Sequence, residues 1–256
     1  MHLEIARAAA QEAGAIQLEN YGTIEKFENK GEVDLLTHVD LASEKVIKDA
    51  IRRHYPDHEI LAEESDLESG SDSDFRWVID PLDGTTNYTH AYPFFGPSIA
   101  LLHKGEPVIG VVLLPLINEE FTAIKGDGAY LNGKPISVSK VDDPAKSLFC
   151  TGFPYDRKER PDYYIAKFRE FMKLGHGVRR AGAAAVDLCY VACGRIDGFW
   201  EERLKAWDVA AGSLLVREAG GTITMFDGGD LDIYGDNVIA SNGKIHETMI
   251  ETIRNV

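Results

Sequence analysis

The stretch Trp77-Val78-Ile79-Asp80-Pro81-Leu82-Asp83-Gly84-Thr85-Thr86-Asn87-Tyr88 sets the reading of the whole chain. Trp77, Val78 and Ile79 form a short apolar run of the kind that makes a buried strand. Pro81 has no N–H to give to a sheet ladder, so the strand is expected to end at Asp80. Asp83 follows, then Gly84, Thr85 and Thr86, small residues able to offer backbone N–H groups at a turn or helix start. Two carboxylates and a set of N–H donors thus meet at the end of a buried strand. Carboxylates hold hard cations and free N–H groups hold phosphate oxygens, so the pairing suggests metal-assisted phosphoryl chemistry. Asp and Gly are also favoured turn residues, and D-x-x-D-G alone reads equally well as a turn. An EF-hand loop is excluded, because the twelfth position from Asp80 is Ala91 rather than a bidentate Glu.

Composition narrows the class. A chain of 256 residues with 44% hydrophobic and 27% charged residues is long enough for a large core and ordinary for a soluble globular protein. Its net charge of −15 argues against nucleic acid as a main partner. Cys150, Cys189 and Cys193 show no zinc-ligand spacing and read as reduced core residues. The alanine-rich N-terminus, with Glu4 and Glu12, is no signal peptide, and no window reaches the length of a membrane span. These features lead to the expectation of a cytoplasmic protein with no membrane partner.

Outward from the central stretch, residues 2–20 predict a helix, 28–33 a mobile loop, and Leu41–Tyr55 a second helix ended by Pro56. Ile60 and Leu61 suggest a short strand before Ala62-Glu63-Glu64-Ser65, and the acidic run Asp66–Asp74 a loop. Strands are expected over Phe95–Leu102, Val108–Pro115, Phe121–Ile124 and Ala129–Val138, the last holding an Asn132-Gly133 hairpin signal. Residues 1–140 therefore read as a helix pair against a largely antiparallel sheet. Residues 141–256 alternate helices and strands and read as a smaller α/β half, the two halves forming one compact catalytic unit. In this second half Gly182–Gly194 predicts a helix apolar on most sides, and Trp207–Ala219 another, closed by Gly220-Gly221.

The candidate metal ligands are Glu63, Asp80, Asp83 and Asp208, with Asp40 nearby, each at or just beyond the end of an apolar segment. Asp40 and Asp208 read equally as helix caps. Gathered without counter-ions these carboxylates would repel one another, a conflict that magnesium resolves while keeping waters for a substrate phosphate.

Here the sequence resembles the inositol monophosphatase family of magnesium-dependent, lithium-sensitive sugar phosphatases. The resemblance is carried by D-L-L-T-H-V-D (Asp34–Asp40), A-E-E-S (Ala62–Ser65), the stretch Trp77–Tyr88, G-A-A-A-V-D-L-C-Y-V-A-C-G-R-I-D-G-F-W-E (Gly182–Glu201) and W-D-V-A-A-G-S-L-L-V-R-E-A-G-G (Trp207–Gly221). It implies a layered αβαβα sandwich and a homodimer. It also implies two to three Mg2+ ions, replaceable by Mn2+. Glu63, Asp80 and the Leu82 carbonyl would hold the first ion, Asp80, Asp83 and Asp208 the second, and Glu63 a weaker third. Gly84 and Thr85 N–H groups would bind phosphate, and Thr85, bonded to Asp40, would orient the attacking water. Asp83, Ala184 and Glu201 would line the sugar side, with Lys30 a loop contact. Two positions depart from the family pattern: Ala62 stands where glycine is usual, and Ala183 where a hydroxyl residue is common. The second puts fine substrate preference in doubt.

The reaction these readings predict is hydrolysis of a polyol phosphate, inositol 1-phosphate first, by direct attack of water. Fructose 1,6-bisphosphate and 3′-phosphoadenosine 5′-phosphate are the alternative substrates. An aspartyl-phosphate phosphatase would carry D-x-D-G-T, one residue shorter than the D-x-x-D-G-T present. A regulatory protein that keeps the fold without turnover is the non-enzymatic alternative.

Overall fold

The computed structural model describes residues 1–23, 28–29, 35–70 and 74–256, of which 28–29 and 35–36 as backbone alone. Helix α1 (His2–Asn20) is followed by short antiparallel strands β1 (Glu28–Asn29) and β2 (Leu35–Leu36). Next come α2 (His38–His54), β3 (Glu59–Ala62), β4 (Phe75–Asp83) and the one-turn helix α3 (Thr85–Thr89). Strands β5 (Gly96–His103), β6 (Glu106–Leu114), β7 (Glu119–Ile124), β8 (Gly128–Leu131) and β9 (Lys134–Pro135) complete a seven-stranded sheet in the order β3-β4-β5-β6-β7-β8-β9. All its pairs are antiparallel except β3 with β4.

The rest of the chain runs β10 (Leu148–Thr151), α4 (Pro161–Leu174), β11 (Gly177–Arg179), α5 (Ala184–Ala192), β12 (Gly198–Glu202), α6 (Ala206–Glu218), β13 (Thr222–Thr224), β14 (Asn237–Ser241) and α7 (His246–Arg254). Its five strands form a mixed sheet ordered β11-β10-β12-β14-β13, with β10 parallel to both neighbours.

Strand alternation sorts the core into layers. Trp77 and Ile79 of β4, Ile99 and Leu101 of β5 and Val111 of β6 pack with Ala6, Ala13, Ile47 and Ile51 of α1 and α2. Val78, Ala100 and Val112, one residue out of phase, face the opposite way and pack with α5 and α6. Phe199 and Ala240 reach the same central layer from the second sheet. Trp200 and Ile239 point outward from that sheet, onto Phe171 of α4 and Met249 of α7. The order is helix pair, sheet, helix pair, sheet, helix pair. Each fully buried Trp, Phe, Leu or Ile side chain contributes roughly 1.5–3 kcal/mol of transfer free energy. Helix α5 is apolar apart from Asp187 and Tyr190 and almost wholly buried, because both its sides face sheets.

Two expectations are corrected. Strand β4 does not stop at Asp80; it continues through Pro81 to Asp83, with a register shift between pairs Asp80–Ser98 and Asp83–Gly96. Proline is tolerated because it sits in that bulge, where no ladder N–H is required. Helix α2 begins at His38, earlier than Leu41, because Thr37 caps it. The Thr37 hydroxyl accepts the N–H of Val39 at 3.1 Å and of Asp40 at 3.4 Å, while Asp40 Oδ2 accepts the Thr37 N–H at 2.8 Å. The mobile loop expected over 28–33 falls largely outside the described residues. No helix among the described residues is long and apolar enough to cross a membrane.

Candidate metal centre

Two elements deliver three aspartates to one point. Asp80 lies where β4 begins its bulge, Asp83 closes the strand, and Asp208 sits in the first turn of α6. Each offers a carboxylate oxygen within 4.8 Å of the others. Each is also aimed by a backbone N–H. Asp80 Oδ1 accepts from Leu82 at 2.9 Å, Asp83 Oδ2 from Ala185 at 2.8 Å, and Asp208 Oδ2 from Lys205 at 2.6 Å. The bond to Ala185 places Asp83 at the positive end of α5, and Asp208 caps α6 while facing the cavity. Its cap and site readings are therefore compatible.

The electrostatics favour a cation. Burial, then the charges of Glu63, Asp83 and Asp208, push the Asp80 carboxyl well above the usual carboxylate range. Burial and Glu63 lift Asp83 to about 7 against the backbone bonds it accepts. Such a cluster holds protons or a metal; it does not stand as bare anions. The donors are carboxylate oxygens without thiolate or imidazole among them, a set that suits Mg2+, Mn2+ or Ca2+ rather than zinc or copper. The residues present fit a hard divalent ion.

The centre opens into a cavity of about 480 Å³. Glu63, Leu82, Gly84, Thr85, Ala184 and Glu201 line it. Glu63 follows β3 and is held to β4 by its N–H, which donates to Ile79 O at 3.1 Å. Gly84 has φ +88°, and a Cβ there would meet Phe94 O at 2.7 Å, so only glycine fits at this start of α3. The N–H groups that open a helix lack partners inside it, which suits them to an anion. Thr85 Oγ1 donates to Asp40 Oδ1 at 2.9 Å and lies 3.1 Å from Leu82 O. Asp40 is fully buried, and burial raises its carboxyl despite the bonds from Thr37 and Thr85.

Burial and the charges of Asp187 and Asp208 push the Glu201 carboxyl well up. Both its oxygens lie where a side chain on Gly152 would stand. The structure thus brings together Glu63, Asp80, Leu82, Asp83, Gly84, Thr85, Ala184, Glu201 and Asp208 around one cavity, with Asp40 buried behind Thr85. Lys30 lies outside the described residues. Sequence reasoning missed Arg180, Arg203 and Lys205 at this cavity, Gly152 against the Glu201 carboxylate, and Glu44 on α2. For Glu44 a signal existed: it follows Asp40 by four residues on α2, one helical turn, and shares its buried face.

The inositol monophosphatase family model matches residues 2–256. The chain belongs to the inositol monophosphatase family. It is 45% identical over 252 residues to an inositol-1-monophosphatase from Synechocystis sp., covering 98% of this chain and 88% of that one. It is 44% identical over 254 residues to Nus factor SuhB of Escherichia coli K12, covering 98% and 95%. Among solved structures, the inositol monophosphatase from Anabaena (Nostoc) sp. matches with a TM-score of 0.91 at 45% identity, covering 100% of this chain and 96% of that one. The layered fold with two mixed sheets is that of the inositol monophosphatases, and the acidic cluster accords with a metal-dependent phosphatase of this family.

Proposed function

We propose that the chain hydrolyses phosphate monoesters of small polyols, with inositol 1-phosphate as the leading substrate, by direct attack of water. The observation that carries this is the convergence of Asp80, Asp83 and Asp208 at the floor of a cavity that Gly84, Thr85 and Glu201 also line. Bound Mg2+ or Mn2+ supplies Lewis-acid chemistry: a more acidic water, neutralised phosphate oxygens and a stabilised leaving alkoxide. Asp80 and Asp83 hold ions jointly with Glu63, the Leu82 carbonyl and Asp208. The N–H groups of Gly84 and Thr85 neutralise charge on the equatorial phosphate oxygens. Asp40 fixes the Thr85 hydroxyl, which accepts from and orients the attacking water. Glu201 and the Ala184 backbone receive the polyol hydroxyls, with Lys30 an outer contact. The D-x-x-D interval leaves Asp80 bonded to Leu82 N–H and grouped with two other carboxylates, a poor setting for a nucleophile that must form a phosphoaspartate.

We infer further that residues 1–140 and 141–256 act as two parts of one catalytic unit, in a lithium-sensitive cytoplasmic homodimer. Fructose 1,6-bisphosphate is the next substrate in order, then 3′-phosphoadenosine 5′-phosphate.

A second reading is a regulatory protein that keeps the fold, favoured by the 44% identity to proteins named Nus factor SuhB. One experiment separates the two. Phosphate release from a panel of monoesters and bisphosphates is measured with Mg2+, for the native chain and Asp80→Asn. Turnover of inositol 1-phosphate that Asp80→Asn abolishes supports the enzyme. No release from any ester by a chain that still binds Mn2+ supports the regulatory reading.

A further inference from the structure

Helix α2 carries two buried carboxylates one turn apart, Asp40 and Glu44, and each reaches a different arm of the site. Asp40 holds Thr85. Glu44 reaches the segment after β3: its Oε2 accepts the backbone N–H of Glu64, 20 positions along the chain, at 2.9 Å. Lys48, one turn further, lies 3.4 Å from Glu44 Oε1, donates to Ser65 Oγ at 2.9 Å and pairs with Glu68. Arg52, a turn further still, reaches Glu68 Oε2 through Nε at 3.2 Å and Nη2 at 2.9 Å. On the other side the Glu63 N–H is tied to Ile79 of β4. Residues 63–68 are therefore held between β4 and a single stripe of α2.

A solvated acidic loop requires no such clamp. Burying a carboxylate is unfavourable unless its oxygens are bonded, and Glu44 is only 5% exposed. Its partner is the amide joining Glu63 to Glu64, the peptide unit whose orientation sets where the Glu63 side chain leaves the backbone. Asp80, Asp83 and Asp208 take their backbone anchors from β4, α5 and the loop before α6, and none of those anchors passes through α2.

We propose that Glu44 is a positioning residue for Glu63. It fixes the Glu63–Glu64 peptide so that the Glu63 carboxylate faces Asp80 and Asp83, and it thereby sets the affinity for the ion that Glu63 helps to hold. The inference rests on the reading of the cavity as a divalent-ion centre. It goes beyond that reading by assigning control of one binding step to a residue that touches neither ion nor substrate.

The test is Mn2+ titration of the full chain by calorimetry, for native protein, Glu44→Ala, Glu44→Gln, Glu63→Gln and Asp80→Asn. Glutamine keeps a carbonyl oxygen for the Glu64 N–H, and alanine does not. Glu63→Gln identifies the step that depends on Glu63. Glu44→Ala is expected to weaken that same step about tenfold or more, leaving the other unchanged. Glu44→Gln should restore most of the affinity, and Glu44→Ala should add no further loss in a Glu63→Gln background. Should Glu44→Ala prove too unstable to purify, Glu44→Asp, which retracts the acceptor by one methylene, is expected to give the same selective loss. Native affinity in Glu44→Ala or Glu44→Asp, or equal weakening of every step, overturns the proposal while Asp80→Asn still loses Mn2+. If Asp80→Asn binds Mn2+ like native protein, the divalent-ion reading itself falls.

Discussion

Thr85 Oγ1 stands 2.9 Å from Asp40 Oδ1, a bond between residues 45 positions apart that ties the start of α3 to the first turn of α2. The other Asp40 oxygen accepts the Thr37 N–H and closes the capping box. One Asp40 oxygen thus closes the cap and the other holds Thr85, so the cap and site readings of Asp40 are compatible. Asp40→Asn keeps a carbonyl for the cap but turns an N–H toward Thr85. It is expected to lower kcat roughly 100-fold or more, with little change in Tm. Thr85→Val should do the same, and the double variant should lose scarcely more than either single one. Steady-state kinetics on inositol 1-phosphate with thermal unfolding checks this; a fall in Tm with native kcat would reduce Asp40 to a cap.

Metal-free protein should be least stable where its carboxylates ionise. Asp83 in the folded chain titrates at about 7, and burial carries Asp80 upward as well. The unfolded value is about 3.9. Between the two, the folded state retains protons that the unfolded chain has released, so stability falls as pH rises from about 4 towards 7. Divalent ions displace those protons, and their stabilisation should grow over the same interval. Differential scanning fluorimetry with and without MgCl2 should show a larger Tm gain at pH 8 than at pH 5, and Asp80→Asn should shrink the difference.

Gly152 leaves the space that the Glu201 carboxylate fills, and a Cβ there would collide with both its oxygens. Gly152→Ala should therefore displace Glu201 and lower kcat/KM for inositol 1-phosphate roughly 10- to 100-fold. Hydrolysis of 4-nitrophenyl phosphate, whose leaving group has no hydroxyls for Glu201, should change little. Equal losses on both substrates would mean that the whole site had been distorted.

Trp77 Nε1 lies 3.0 Å from His58 Nδ1 and donates to it, an arrangement open only to a neutral ring. Burial, then the neighbouring His2, lowers the pKa of His58. Its contribution to stability is thus present above the unfolded value of about 6.5 and is lost as pH falls below it. With MgCl2 present to neutralise the carboxylates, Tm should decline on acidification from pH 7 to 5, and His58→Phe should flatten that part of the profile. Trp77 fluorescence should report the same transition.

Residues whose type and position are both constrained locally were legible without coordinates. Asp80 and Asp83 stood out because a buried strand rarely ends in two carboxylates and a glycine. Helix α5 was legible from a run that is apolar on most sides. Gly152 was not, because it acts across space by lacking a side chain beside Glu201; the position of Glu44 one turn after Asp40 could be read, but the amide it accepts lies 20 residues away and could not. The continuation of β4 past Pro81 was misread because proline argues against a regular ladder, and the local rule has no knowledge of a bulge. Strand β11, three residues long and half-exposed, had no periodic signal to offer.

Between Asp80 and Asp83, β4 uses one residue more than β5 uses between Ser98 and Gly96. On an even ladder residues three apart face opposite sides of a sheet. The surplus residue brings both acids round to the side of α5 and α6. The centre therefore depends on counting as well as on chemistry: a single codon inserted into β5 opposite the bulge would keep every acid in the sequence yet send one of them into the layer of α1 and α2.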